Sequence, residues 1–482
     1  MVSLASMNVI GIPPSSGLPV SSADAWRGIH QRMPGHIHRK QPGCRVLKSH
    51  RALQLTAATC VFRFWGGKRK SKVPALGRKD DVPAVDLDGC SWFSAGDDPE
   101  PPAKIVAAVR AALTSHGLFS ATGHGVPLDV VKEVRAESMA FFDQPLEMKQ
   151  SCAVYNMERN RGYEIYPHHQ RFLEQWQTTS VPPDAHAEPS AVQGIVCERF
   201  CCGPPEICEA TCDGRQAKSA KWKLDDYYRS AYGKVFFPAN VWPSSCERLK
   251  PAMLEAYTAF EQLSEALLLL LAAASGVQPT SLQNLWYDSQ RHVRHSSMLQ
   301  VCNYPSLLPR RLRPPDLSEY QLRAKAHQDF GTFTVLARSP GTDSGVAKCG
   351  QSGALEVRLP SGSWACVPAR EDALTVMPGT LIEYLTAGRC RGVMHRVSNP
   401  RPALAADSRR LSVTFVAKPD YTAAAVPPDS NLADPSTPTL GDLWRVGWQE
   451  KQRLMGTMPH GIAVQQFRRH RQELRQRLLL QD

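Results

Sequence analysis

The chain has 482 residues, 42% of them hydrophobic and 21% charged, the balance of a globular protein able to bury a sizeable core. Its most apolar stretch, Ala266 to Val277, falls short of the roughly 18 residues that a membrane span needs, so it reads as a buried helix in a soluble chain without a transmembrane segment. The net charge of +12 divides unevenly: residues 1–79 hold 14 Lys or Arg against one acid, Asp24, which leaves −1 for the remainder and argues against a nucleic-acid partner for the body of the protein.

In chain order, residues 1–80 are a basic extension, Ser-rich at its start, Arg-rich after it and poor in acids. That composition fits either a disordered arm or an organelle transit peptide, plastid import included, and places the protein inside the cell, in the cytoplasm or an organelle. Alternation predicts a short strand over 82–87. Pro101-Pro102 introduces a helix over 103–115, with Val106, Val109 and Leu113 at helical spacing and Gly117 as the stop. A strand over 118–122 and a helix over 128–142 follow. Residues 175–215 lack periodicity and read as a long insertion or loop. Five of the 14 cysteines, Cys197, Cys201, Cys202, Cys208 and Cys212, bunch there without paired C-x-x-C knuckles or a His among them. They fit a structural metal site or a Cys-rich surface insertion.

A helix over 251–274 is the longest expected. Beyond residue 297 the texture turns to short strands divided by Gly and Pro, over 298–304, 332–336, 354–358, 364–367, 374–376, 381–385 and 411–417, which means a sandwich or double-sheet jelly roll. After Pro419 a Pro-rich connection leads to an amphipathic helix carrying Ala463, Phe467, Leu474 and Leu478 on one stripe. Arg468, Arg469, Arg471 and Arg475 lie off that stripe, a basic face expected in water or against a membrane or partner.

The residues that carry chemistry start at His327-Gln328-Asp329, followed by His395 in Val393-Met394-His395-Arg396-Val397 and by Arg410-Leu411-Ser412. Two imidazoles and a carboxylate are the facial triad that holds non-haem Fe(II) and leaves positions open for oxygen chemistry. On one strand, His327 and Asp329 would point to the same face and reach one ion together, with the third donor coming from elsewhere in the fold.

These landmarks, together with His116-Gly117-Leu118-Phe119, Gly123-His124-Gly125-Val126-Pro127, Asn240-Val241-Trp242-Pro243, Tyr304-Pro305, Gly353-Ala354-Leu355-Glu356-Val357 and Trp364, run in family order over about residues 81–420. The chain resembles the isopenicillin-N-synthase-like, plant-type iron- and 2-oxoglutarate-dependent dioxygenases. The resemblance implies a mainly β protein with flanking helices (α+β), its core a double-stranded β-helix or distorted jelly roll. Residues 81–250 would form the N-terminal dioxygenase region with helices and the Cys-rich insertion. Residues 251–420 would form a helix plus the catalytic core, and 421–482 a linker and basic helix.

Carried over by position, His327, Asp329 and His395 would ligate Fe(2+), Arg410 and Ser412 would bind the distal carboxylate of 2-oxoglutarate, and Tyr304 would hydrogen-bond that cosubstrate. His124 falls in a structural segment. The implied activity is oxidation of a small organic molecule by O2, as hydroxylation or desaturation, with release of succinate and CO2, by a monomer. An oxidase of the same fold that does without 2-oxoglutarate, or an idle jelly-roll binding module, are the alternatives. The chain departs from the family in Cys302, where Asn is usual, in Gly379-Thr380, where Gly-Asp is usual, and in a longer link between His395 and Arg410.

Overall fold

The computed structural model describes residues 82–89, 93, 100–153, 161–166, 197–208, 226–306, 322–338, 353–400, 408–428, 430, 431, 433 and 437–445. The basic extension over 1–80, the basic C-terminal helix and Cys212 lie outside the described residues. Those described belong to one compact unit of the chain, which begins after Lys72.

Twelve strands run through them: β1 (Ala84–Asp86), β2 (Phe119–Thr122), β3 (Gly162–Tyr166), β4 (Cys197–Cys202), β5 (Met298–Tyr304), β6 (Leu322–His327), β7 (Phe333–Arg338), β8 (Leu355–Arg358), β9 (Trp364–Cys366), β10 (Leu374–Pro378), β11 (His395–Ser398) and β12 (Arg410–Ala417). They pair as an eight-stranded sheet in the order β1-β2-β10-β7-β12-β5-β4-β3 and a four-stranded sheet in the order β6-β11-β8-β9. From β5 onward the chain passes repeatedly between the sheets in the manner of a jelly roll. Side chains tie the two together: Arg323 of β6 donates to the carbonyl of Ser408, and Arg410 of β12 to the carbonyl of Gly353 just before β8.

The helices form where the sequence supplies both an apolar stripe and a terminator. The helix Ala103–Ser115 starts after Pro102 and is closed by Gly117 at φ +80°, whose N–H returns to Ala112 and Leu113. The helix Leu249–Ala274 ends in a Schellman motif, with Val277 N–H donating to the carbonyl of Ala272, Gly276 N–H to that of Ala273, and Gly276 at φ +70°. Among the described residues, no helix is long and apolar enough to cross a membrane. The Leu249–Ala274 helix lies instead on the outer face of the large sheet. There Leu411, Val413 and Phe415 of β12 are buried, and the Phe415 ring stands 5.3 Å from that of Tyr257. Each such apolar side chain contributes about 1.5–3 kcal/mol. Because alternate residues of a strand face opposite ways, this outward row leaves Arg410, Ser412 and Thr414 facing inward.

Three expectations are corrected. Residues Thr380–Leu385 are a helix rather than a strand. All six are buried, and a short apolar run carries no period that separates the two forms. Cys197–Cys202 lies in no loop: it is β4, hydrogen-bonded between β3 and β5. Cys behaves as a small apolar residue in a strand buried on both faces, and that texture mimics an insertion. Cys197, Cys201, Cys202 and Cys208 are buried, and no metal-binding group among the described residues includes a cysteine. Finally, His327 and Asp329 do not share a strand, since His327 closes β6 and Asp329 sits in the turn before β7.

Candidate active site

His327 and His395 are directly opposed on the neighbouring strands β6 and β11, so both imidazoles project from one face of the small sheet, their ring centroids 4.3 Å apart. The turn after β6 swings Asp329 in beside them. Its Oδ1 lies 3.6 Å from Nε2 of His327 and 3.8 Å from Nε2 of His395, and one donor atom from each of the three residues falls within 4.8 Å of the others. This is the only such group of His, Cys, Asp and Glu among the described residues.

The surroundings aim these atoms. Thr334 Oγ1 donates to Asp329 Oδ2 at 2.6 Å, which turns Oδ1 toward the imidazoles. His395 Nδ1 lies 3.1 Å from the carbonyl of Val393; donation there leaves Nε2 with its lone pair directed at the cluster. The turn itself is clamped by the segment that enters and leaves the Thr380–Leu385 helix. Thr380 donates to the carbonyl of Asp329 through both N–H and Oγ1, and Gln328 Nε2 donates to the carbonyl of Gly392. Only glycine fits at 379, because a Cβ there would stand 2.3 Å from the carbonyl oxygen of Gly331. The His395 side chain is 9% exposed and that of His327 31%, so the cluster opens on the His327 side. The donor set suits a divalent first-row metal held on one face with room for further ligands.

Facing the small sheet, β5, β12 and β7 of the large sheet present a second group. Tyr304 is opposite Arg410, Cys302 is opposite Ser412, and Ser412 is opposite Arg338, so all five share the inner face. Arg410 uses Nη1 on the carbonyl of Gly353, while its buried Nε has no acceptor among the described residues. Its guanidinium carbon lies 5.3 Å from the centroid of the Tyr304 ring. Burial pushes the Tyr304 hydroxyl well above its ordinary range, which keeps it a proton donor at neutral pH, and pushes Arg410 below its own. A buried guanidinium with an open Nε edge, next to a serine and a protonated phenol, has the chemistry to receive a carboxylate.

The sequence singled out His327, Asp329, His395, Arg410, Ser412 and Tyr304. The structure brings the first three to one point, and the other three to the opposite wall. It adds Thr334, which orients the carboxylate, and Arg338, a cation at an inward position of β7. Alternation along Thr334, Leu336 and Arg338 was the signal for the latter, because a basic residue on a buried strand face is unusual. Cys302, where the family usually has Asn, occupies the inner face, while the neighbouring Asn303 points outward and donates to Glu198.

Residues 82–182 match the family model of the non-haem dioxygenase in morphine synthesis N-terminal region, and residues 296–419 match the 2OG-Fe(II) oxygenase superfamily. The chain is 29% identical to validamycin A dioxygenase of Streptomyces hygroscopicus subsp. limoneus, over 72% of its own length and 79% of that protein. It is 29% identical to clavatol oxidase of Penicillium crustosum, over 64% and 78% respectively. In fold it is similar to a full-length Neurospora crassa protein crystallised in complex with alpha-KG and thymine, with a TM-score of 0.53 at 16% identity over 77% of this chain and 97% of that one. A 2OG-Fe(II) oxygenase family protein from Caulobacter crescentus gives 0.52 at 17% identity over 78% and 99%.

Proposed function

The chain belongs to the isopenicillin-N-synthase-like iron- and 2-oxoglutarate-dependent dioxygenases, and we propose that His327, Asp329 and His395 hold its Fe(II) while Arg410, Ser412 and Tyr304 seat the 2-oxoglutarate. The enzyme oxidises a small organic molecule with O2, by hydroxylation or desaturation, and releases succinate and CO2. Bound iron supplies the redox chemistry that couples decarboxylation of the cosubstrate to attack on the C–H bond.

What this chain's residues contribute is placement. The observation that carries the reading is that three suitable donors lie within 4.8 Å of one another, opposite a buried guanidinium whose Nε edge is open. Asp329 supplies the one negative charge of the set, and Thr334 with Val393 fixes which donor atoms face inward. Arg410 offers Nε–H and its free terminal nitrogen side by side, a geometry that matches both oxygens of a carboxylate. A cosubstrate pinned there extends its 2-oxo acid end toward the triad, with its chain shielded from water between the sheets. The same open edge favours a 2-oxoglutarate user over a same-fold oxidase that needs no cosubstrate.

Adding 2-oxoglutarate to the Fe(II)-loaded chain without oxygen should produce a weak visible charge-transfer band, and His327→Ala should not show it. A band of equal strength in that variant would remove His327 from the ligand set.

The near-neutral body of the chain fits a small-molecule partner, and we read the protein as a monomer, either cytoplasmic or imported into an organelle through its basic residues 1–80. Sedimentation of the protein isolated from its native cells should give one protomer's mass, a dimer opposing the first reading, and its intact mass separates import with cleavage of the extension from a cytoplasmic location that keeps it.

A further inference from the structure

We infer that Arg338 is a second cationic anchor for the cosubstrate's distal carboxylate, acting beside Arg410 and making the pocket selective for a 2-oxo acid with two negative charges. This rests on Arg410 and Ser412 being the seat of that carboxylate.

Arg338 closes β7 directly opposite Ser412, so its side chain leaves the sheet on the same face as Ser412 and Arg410. Its far end is held in place: Nη1 donates to the carbonyl of Val367 at 2.8 Å, and Nη2 donates to that of Pro368 at 2.7 Å and to Thr375 Oγ1 at 3.4 Å. All three are neutral acceptors. The remaining donor, Nε–H, is buried and has no acceptor among the described residues, as is true of Nε on Arg410.

No carboxylate among the described residues forms an ion pair with either guanidinium, and the charge that most perturbs Arg338 is Arg410 itself. Burial and that like charge push Arg338 down to about 9, so it is still a cation at neutral pH. Two partly buried cations side by side, with no anion supplied by the chain, oppose folding unless something else brings the negative charge. Other arginines are satisfied in different ways: Arg199 pairs with Glu164 and Arg396 with Glu356, while Arg323 donates to Ser408 and to the carbonyl of Tyr304. Arg338 combines a rigid mount, a like charge acting on it from Arg410, and one buried donor without an acceptor among the described residues. A dianionic 2-oxo acid supplies the missing charge: one carboxylate lies with the keto group toward the triad, and the other falls between Arg410, Ser412 and Arg338.

The test compares 2-oxoglutarate with 2-oxobutyrate, which lacks the distal carboxylate, on the full chain loaded anaerobically with Fe(II), binding being read from tryptophan fluorescence and the charge-transfer band. R338Q is expected to weaken 2-oxoglutarate by about 10-fold or more, the effect of one charge-assisted hydrogen bond, while 2-oxobutyrate changes less than about 2-fold. R338K, which keeps the charge but loses the Nε–H donor, should fall between R338Q and the parent. Equal loss of both oxo acids in R338Q would make Arg338 merely structural and overturn the inference, and parent-like binding of both would do the same. If R338Q does not fold, R338K decides, and a ratio of the two affinities unchanged from the parent overturns it. A parent chain that fails to bind 2-oxoglutarate at all would instead overturn the cosubstrate reading, and this inference with it.

Discussion

Asp329→Ala is expected to bring succinate release down to the background of the iron-free protein while leaving the chain folded. Asp329 is the only anionic donor of the three, and its Oδ1 lies within 4 Å of both imidazole Nε2 atoms. Without it, two neutral nitrogens must hold a dication, and the metal loses both affinity and its fixed orientation. Metal catalysis of this kind is worth several kcal/mol of transition-state stabilisation, and about 1.4 kcal/mol corresponds to tenfold in rate, so a loss of about 100- to 1,000-fold or more should be seen. The side chain is partly exposed and packs into no apolar cluster, and the turn is held by main-chain and Gln328 hydrogen bonds that the substitution leaves in place. Iron retention against a chelator and succinate formation measure the two effects separately. If the variant keeps its iron and turns over at more than about a tenth of the parent rate, a threshold of roughly 1.4 kcal/mol, Asp329 is not a ligand.

Arg410→Ala should act on cosubstrate binding and spare the metal. A hydrogen bond to a charged group contributes about 1.5–3 kcal/mol, so the dissociation constant for 2-oxoglutarate should rise about 10- to 100-fold. KM for 2-oxoglutarate should follow it, with kcat moving less at saturation, because the guanidinium grips the end of the molecule remote from the reacting carbon. Lysine at this position would restore the charge without the planar fork and should recover only part of the affinity. Iron binding is expected to stay at the parent level. Unchanged 2-oxoglutarate affinity in Arg410→Ala would place the distal carboxylate elsewhere.

Much of the fold could be read from local pattern. The helices Ala103–Ser115 and Leu128–Phe142 have the bounds that their flanking prolines, apolar stripes and stops predict, and the strand Met298–Tyr304 likewise. The failures share a cause. Thr380–Leu385 and Cys197–Cys202 are almost wholly buried, so neither shows the polar face whose spacing reveals a period. The strands β3, β6 and β11 were not anticipated. β6 carries Arg323 and Lys325 among small residues, and only its pairing with β11 makes it a strand.

What the chain's own order of residues determined was the inventory: two histidines, an aspartate and an Arg-x-Ser pair, and a hydrophobic pattern that commits residues beyond 297 to two sheets. The relation between those parts was decided by tertiary structure. His327 and His395 stand opposite one another because β6 pairs with β11, Asp329 joins them because a turn held by Thr380 and Gln328 folds back, and Arg338 lies on the same face of the sheet as Arg410 because β7 lies beside β12. Strand pairing between segments far apart in the chain is fixed by which faces can be buried together, and a metal's donors or a pocket's charges meet only once that burial has set the register.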